Sequence, residues 1–196
     1  MKTQRKKIKI IEAAGRIFSQ KGFHQTKMDE IAEKAQVAKG TLYYNFSSKS
    51  KLFAATVTHG LNEVMDTIKT ELESNLPFKD HFHSLVGAVI RVYIRNSEVT
   101  RIYANELSSG IEPKVLNEIK AVRQNFIDFI EEKLVMGEKK GYLKSMPPSL
   151  TAVSVIALMD SLCNHYLENP KTATEDEIIE TAYALLSTGL FKPETC

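Results

Sequence analysis

The sequence predicts an all-α protein in two parts, an N-terminal three-helix helix-turn-helix head and a C-terminal helical body. Three observations predict this fold. Apolar residues recur with helical spacing along the whole chain, and no strand-like alternation persists. Glycine and proline fall between the periodic segments. Residues 1–51 hold 12 Lys and Arg against 4 acids, whereas the remaining residues hold 14 against 20, so the charge divides with the two parts.

The first helix is predicted from Thr3 to Gln20. Ile10, Ala14 and Phe18 lie four residues apart and therefore share one face. Lys21-Gly22 follows, and a basic last turn with glycine after it is a common helix end. The sequence thus predicts one amphipathic helix before the next motif.

Residues 26–46 predict a helix, a tight turn and a short second helix. Thr26 is a suitable N-cap, and Met28 and Ile31 begin an apolar stripe on the first of these helices. In the second helix, Leu42 and Phe46 share a face that suits burial. Such a helix-turn-helix can place its second helix in the major groove of DNA, although the segment alone also fits a plain helical hairpin with polar surface residues.

The net charge of +8 on residues 1–51 indicates a surface that binds a polyanion, and the net charge of −6 on the rest indicates a body with another task. A merely solvated basic surface is the alternative. The coincidence of the charge with the helix-turn-helix pattern favours the first interpretation.

Six further helices are predicted in the body, at about residues 49–74, 80–96, 99–108, 113–140, 149–168 and 174–190. Serines, prolines and glycines bound them. We therefore place the domains at residues 1–48 for the head and 49–196 for the body. The helix at 49–74 is expected to belong to both halves of the molecule.

The last two helices, at about 149–168 and 174–190, are expected to form a homodimer through a four-helix bundle. The first of them is apolar nearly all round, so it must be covered on all sides. Small residues would let another helix approach closely: Ser154, Ala157, Ser161, Ala182 and Ala184. A central core helix within a monomer is the alternative.

No motif indicates catalysis, a cofactor or a metal. His81 and His83 point apart on a helix, and no cysteine cluster accompanies them. Cys163 lies among apolar residues, which suits a buried thiol, and two cysteines make no disulfide framework, so a cytoplasmic protein is expected. No run approaches about 18 consecutive apolar residues, so no membrane span is expected.

The N-terminal pattern resembles that of the TetR family of transcriptional regulators. The resemblance rests on about the first 53 residues: Ile11-Glu12-Ala13-Ala14, Phe18, Gly22-Phe23, Thr26, Ile31-Ala32, Gly40-Thr41-Leu42-Tyr43-Tyr44-Asn45-Phe46, Lys49 and Leu52. It implies a ligand-responsive homodimeric repressor that binds a palindromic double-stranded DNA operator and is released by a small-molecule effector. An all-α small-molecule-binding protein and a constitutive DNA-binding protein without an effector are the alternatives.

The resemblance also implies roles for single residues. Lys39, Gly40 and Tyr43 match positions that contact bases, and the start of the preceding helix, Thr26-Lys27, matches a backbone-contacting position. Phosphate contacts are implied for Thr41, Tyr44, Asn45 and Lys49. Gln36 stands where glycine is usual, so a positive φ there would cost energy.

An effector cavity in the body is a further implication of the resemblance. Apolar and aromatic residues with a few polar ones are candidates for its lining, although each also suits ordinary core packing: Met65, Val89, Tyr93, Tyr103, Leu107, Asn125, Phe126, Phe129 and His165. Arg91 and Arg95 either meet an anionic effector or pair with Glu98 and Glu106. The charge of the effector is left open.

Overall fold

Eight α-helices make up the computed structural model, which describes residues 2–73, 77–95 and 112–193. Their bounds are α1 Lys2–Gln25, α2 Met28–Lys34, α3 Lys39–Asn45, α4 Lys49–Leu72, α5 Phe78–Arg95, α6 Pro113–Lys139, α7 Pro148–Glu168 and α8 Glu175–Leu190. Within these ranges the only β pairing is an isolated antiparallel bridge between Leu143 and Phe191. The predicted all-α fold is confirmed. The predicted helix at 99–108, with Tyr103 and Leu107, lies outside the described residues.

The junction between α1 and α2 corrects one prediction. Gly22 has φ 74° and ends the regular part of α1, as its sequence predicts. The predicted N-cap at Thr26 is wrong, because Lys27 occupies the N-cap position of α2. Thr26 is instead buried, and its hydroxyl donates to the Gly22 carbonyl at 2.7 Å. Its side chain therefore closes the bend at the end of α1.

The described chain divides into two compact units. The first holds α1 to α3, α4 as far as Asn62 and α6 as far as Val122. The second holds α4 from Glu63, α5, α6 from Arg123, α7 and α8. Both α4 and α6 thus contribute to each unit, as the sequence suggested for α4. The predicted domain boundary after residue 48 follows the motif and not these units, and it stays a prediction.

The core of the first unit centres on three phenylalanines. The ring centroid of Phe53 lies 5.2 Å from that of Phe18 and 5.3 Å from that of Phe23, both with edge-on geometry. Edge-to-face aromatic pairs add to the stabilisation that burial provides. Leu42 of α3 is fully buried in the same core, so the orientation of α3 is fixed from beneath.

In the second unit, α5 packs against both α7 and α8. Gly87 of α5 faces Ile179 of α8, where a Cβ would make an ordinary van der Waals contact at 3.7 Å. Arg91 Nε lies 3.0 Å from Glu175 Oε1 and so has a partner other than the acids considered from sequence. Thr174 caps α8, since its hydroxyl accepts from the Glu177 amide at 3.2 Å.

Helix α7 combines a buried face with an exposed apolar one. In the described chain it is the one helix that is long and apolar enough, by length and composition alone, to cross a membrane. Leu150 and Val153 are exposed, at 70% and 43% of their surface, while Ile156 and Cys163 are buried. Packing within this chain therefore leaves apolar residues of α7 in contact with solvent, and such an exposed apolar face is typical of an interaction surface.

The turn between α2 and α3 places Gln36 in the left-handed region, with φ 55°. The Gln36 amide donates to the Glu33 carbonyl and the Val37 amide donates to the Ala32 carbonyl, both at 2.9 Å. This is the Schellman arrangement, in which glycine is usual at the left-handed position. The positive φ that the sequence analysis considered at Gln36 is therefore present.

Replacing Gln36 with glycine is expected to stabilise the protein. A non-glycine residue in the left-handed region costs about 1–2 kcal/mol, and glycine removes this strain. Glycine also gives the unfolded chain more freedom, which lowers stability by about 0.4–1 kcal/mol. Urea unfolding should show a net gain of about 0.5–1 kcal/mol for Gln36→Gly. The matched control Gln20→Gly, on the exposed side of α1, should lose up to about 1 kcal/mol. A loss in both variants would contradict this account.

Candidate nucleic-acid interface and ligand cavity

Helix α3 presents one exposed face. Tyr43 and Tyr44 are exposed at 50% and 86%, and Gly40 has nothing within 4 Å of the position of a Cβ. Lys39 is also exposed, whereas Leu42 is fully buried. A glycine with open space around it is not required by the packing of this chain, and two exposed tyrosines offer contact surface to a partner.

Lys39 has a carboxylate partner that the sequence analysis missed. Its Nζ lies 2.6 Å from Oδ2 of Asp29, in the first turn of α2. This hydrogen bond and the nearby charge raise the pKa of Lys39 above its ordinary value. The presence of an acid in a strongly basic head was a sequence signal for such a pair. The pairing of residues 29 and 39 itself depends on the turn between α2 and α3, which brings them together.

The other predicted DNA-contacting residues of α2 and α3 differ in exposure. Lys27 is exposed, Thr41 and Asn45 are half-buried, and Thr26 is buried. The Asn45 side-chain amide donates to the Thr41 carbonyl at 2.7 Å. The Thr26 side chain is thus withdrawn from the surface, so the predicted contact there can come from the backbone alone.

Lys49 of α4 is half-buried and contacts the segment between α1 and α2. Its Nζ donates to the carbonyl oxygens of Thr26 at 3.0 Å and His24 at 3.1 Å. The same ammonium lies 4.5 Å from the centre of the Phe23 ring. Hydrogen bonds from a charged donor are stronger than those between neutral groups. Lys49 therefore joins α4 to the segment that follows the bend at Gly22.

The second unit contains a partly open cavity of about 220 Å³. Its walls come from α4, α5, α6, α7, α8 and the segment after α6, and most of its lining side chains are aliphatic or aromatic. Polar side-chain groups come from His81, Tyr93, Lys133, Lys140 and Tyr142, and no carboxylate lines the described cavity. The cavity suits a largely apolar ligand.

Some of the residues predicted to line the cavity do so, and others do not. Val89, Tyr93 and Phe126 line the cavity. Four others do not, namely Met65, Asn125, Phe129 and His165, and of these Asn125 and His165 are exposed. Phe129 instead lies beneath two ammonium groups, those of Lys133 at 4.9 Å and Lys69 at 5.6 Å.

Several cavity residues were missed from sequence, although one signal was present. Phe78, Phe82, Leu85 and Val86 share the helical spacing of Val89 on α5 and line the cavity with it. Lys133 of α6 and Lys140 just after it carried no such signal, because charged residues at the surface are ordinary.

The other titratable groups singled out from sequence have separate partners. His81 Nε2 contacts the Glu71 carbonyl, and His83 Nε2 lies 2.8 Å from Glu180 Oε1. Within the described ranges no cluster of three or more His, Cys, Asp or Glu is arranged to hold a metal ion. Burial raises the pKa of Cys163 to about 12, so its thiol stays protonated.

The chain belongs to the TetR family of bacterial transcriptional regulators. The sequence profile described as "Bacterial regulatory proteins, tetR family" matches residues 10–56. The HTH-type transcriptional regulator YhgD of Bacillus subtilis is 31% identical over 162 residues, which are 83% of this chain and 84% of YhgD. The protein is thus a DNA-binding regulator of helix-turn-helix type.

Two further relatives differ in the sign of regulation that their names give. The transcriptional activator FasR of Mycolicibacterium smegmatis is 24% identical, over 87% of this chain and 76% of FasR. The transcriptional repressor NicS of Pseudomonas putida is 23% identical, over 88% of this chain and 81% of NicS.

Solved structures share the fold. FadR from Bacillus halodurans, a fatty acid degradation regulator, has a TM-score of 0.80 at 20% identity, over 94% of this chain and 95% of FadR. FadR from Bacillus subtilis in complex with stearoyl-CoA has a TM-score of 0.77 at 17% identity, over 93% and 98%.

Removing the ammonium of Lys49 is expected to destabilise the head. Lys49→Met leaves two carbonyls without this donor, and hydrogen bonds from charged groups contribute about 1.5–3 kcal/mol each at most. Urea unfolding should show a loss within that range. Lys51→Met, at an exposed position two residues on, should change the free energy of unfolding by less than about 0.5 kcal/mol. Equal effects in the two variants would contradict the structural role.

Proposed function

We propose that this protein is a cytoplasmic homodimeric repressor that binds a palindromic operator and releases it when a small molecule fills the cavity of the second unit. The observation that carries the proposal is the exposed face of α3 above a fully buried Leu42. A recognition helix fixed in this way can enter the major groove with its outer residues at the base edges.

The proposed contacts divide between bases and phosphates. Lys39, Gly40 and Tyr43 contact bases, because they share the exposed side of α3. Exposed Tyr44 and Lys27 contact phosphates, and the half-buried Thr41 and Asn45 do so at the edge of the interface. Thr26 and Lys49 support this surface from within the head, which revises the phosphate role first expected of Lys49.

Selection of duplexes from a random pool tests DNA recognition and supplies the operator for every later experiment. We expect an enriched sequence with two related half-sites, because a symmetric dimer presents two equal heads. Transcription from a promoter overlapping that operator should fall when the protein is added. A rise would replace repression by activation, and failure to enrich any sequence would overturn the proposal.

Gly40→Ala separates binding from folding. A Cβ at residue 40 meets nothing within 4 Å, so stability should be unchanged or up to about 1 kcal/mol higher, since alanine favours helix over glycine. Operator affinity should nevertheless fall by about tenfold or more, because the methyl group prevents close approach of the DNA. A loss of this size corresponds to the loss of one base contact. Fluorescence anisotropy with labelled operator measures the affinity. Full affinity would remove Gly40 from the interface.

The homodimer is proposed to form through α7 and α8. Their outer surfaces hold exposed Leu150, Val153 and Leu185, with the small residues Ala157 and Ser161 between them in α7. Apolar groups with small residues among them suit close packing of a second copy, and the arrangement accounts for the exposed face of α7. Of the small residues named from sequence, Ala182 is fully buried in its own chain and takes no part.

Ala157→Arg tests this surface. A charged side chain at the centre of the proposed interface should convert the dimer to a monomer, because burying an unpaired charge is strongly unfavourable. Light scattering coupled to gel filtration measures the mass. The matched control Ala121→Arg, at an exposed position of α6, should stay dimeric. A monomeric wild-type protein, or a dimeric Ala157→Arg variant, would contradict the assignment.

The proposed effector is an amphiphile with a hydrocarbon chain and an anionic end. The cavity of about 220 Å³ exceeds the roughly 150 Å³ that lets an engineered apolar cavity bind benzene. A sugar or nucleoside would lose hydrogen bonds to water without replacing them on aliphatic walls. The ammonium of the lining residue Lys133 is paired with Glu132 Oε1 at 2.7 Å, so Lys140 is the lining cation that favours an anion. The stearoyl-CoA complex of the FadR structure is consistent with this class.

In this proposal, release of the operator follows from a population shift. Helix α4 contributes Val64 and Ile68 to the cavity and Leu52 and Phe53 to the core of the first unit. A ligand that favours one placement of this helix changes the population of DNA-binding states. A coupling of about 1–3 kcal/mol would weaken operator binding about 5- to 150-fold.

Three ten-carbon probes test the class of effector. Decanoate should release labelled operator at lower concentration than decanol, and decyltrimethylammonium should be least effective, because Lys140 attracts an anion. In Lys140→Gln, the concentration of decanoate for half release should rise about 2- to 5-fold, the range of an exposed ion pair. Lys139→Gln, which does not line the cavity, should behave as wild type. Equal potency of the three probes would overturn the anionic class, and no release by any of them would favour constitutive DNA binding.

A further inference from the structure

The ion pair between Asp29 and Lys39 joins the two helices of the helix-turn-helix at its exposed surface. The Nζ–Oδ2 distance is 2.6 Å, and the side chains of Lys39 and Asp29 are 68% and 55% exposed. Exposed ion pairs contribute little to stability, because water screens them and both side chains lose freedom. The main consequence of this pair is therefore where it holds the Lys39 ammonium.

Asp29 is the acid of the head that serves this lysine. Its neighbour Glu30 is engaged elsewhere, with Oε1 at 3.0 Å from Lys21 Nζ, and that hydrogen bond lowers the pKa of Glu30. Residues 1–51 contain 4 acids against 12 basic residues, so a carboxylate beside the recognition helix opposes the overall attraction for phosphate.

A lysine ammonium has three N–H donors. One donor directed at Asp29 leaves two for acceptors on a base edge, such as the O6 and N7 atoms of guanine. A phosphate that approaches Lys39 must instead compete with a carboxylate already in contact and is repelled by it. The pair thus allows a base contact while disfavouring capture of Lys39 by the DNA backbone.

We infer that Asp29 is a positioning residue that determines sequence specificity by holding Lys39 toward the base edges and away from phosphates. The inference rests on the proposed base contact of Lys39 and adds to it a second, acidic residue that contacts no base itself. Without Asp29, a long and mobile side chain would be ordered only when DNA binds, at an entropic cost.

The test compares Asp29→Asn with wild type on the selected operator and on a scrambled duplex of equal length. The ratio of the two affinities should fall about 2- to 10-fold, the scale of coupling between contacting charged groups. Binding to the scrambled duplex should become more dependent on salt, with a slope steeper by about one, because Lys39 gains a phosphate. Asp29→Glu should restore most of the ratio, and Glu33→Gln, with the same charge change on the exposed side of α2, should leave the ratio unchanged.

A double-mutant cycle with Lys39→Gln separates positioning from a structural effect on α2. Once Lys39 is replaced, Asp29→Asn should change the affinity ratio by less than about twofold. An undiminished effect in that background would overturn the inference, as would an equal effect of Glu33→Gln. If wild type binds both duplexes equally, the proposed function itself fails. If wild type prefers the operator and Asp29→Asn does not alter that preference, only the inference fails.

Discussion

The constraint on which the structure most depends is that one continuous helix, α4, supplies apolar residues to two cores. Leu52 and Phe53 are buried with the helix-turn-helix, and Val64 and Ile68 line the cavity of the second unit. A helix is stiff because each turn is bonded to the next. The same helix therefore contributes to both cores, which is the basis of the population shift proposed for release of the operator.

Lys39 and Lys49 are the same residue type, but they have different roles because they contact different groups. Lys39 meets a carboxylate at the exposed surface, while Lys49 meets the carbonyls of His24 and Thr26 within the head. The first pair leaves donors available to another molecule, and in the second the ammonium joins α4 to the segment between α1 and α2. A basic head is thus not a uniform basic surface.

Much of the fold was predictable because helical periodicity and helix-ending residues are local signals. The sequence predicted helices that correspond to α1 to α8, the end of the regular part of α1 at Gly22 and a position at Gln36 where glycine is usual, since each depends on residues within one or two turns. The cap of α2 was wrong for a related reason. Thr26 has the right side chain for a cap, but the neighbouring bend buries it and supplies the Gly22 carbonyl as its partner.

The sequence by itself determined the family, the order of the helices and the face of α3 that remains exposed, because all three follow from residue type and spacing. Only the tertiary structure decided which side chains meet across the chain. It joined residue 29 to residue 39, placed Lys49 on carbonyls and gave the cavity its lining of α5 residues with Lys133 and Lys140. Such contacts depend on the crossing of separate helices, and spacing along a single helix contains no information about that crossing.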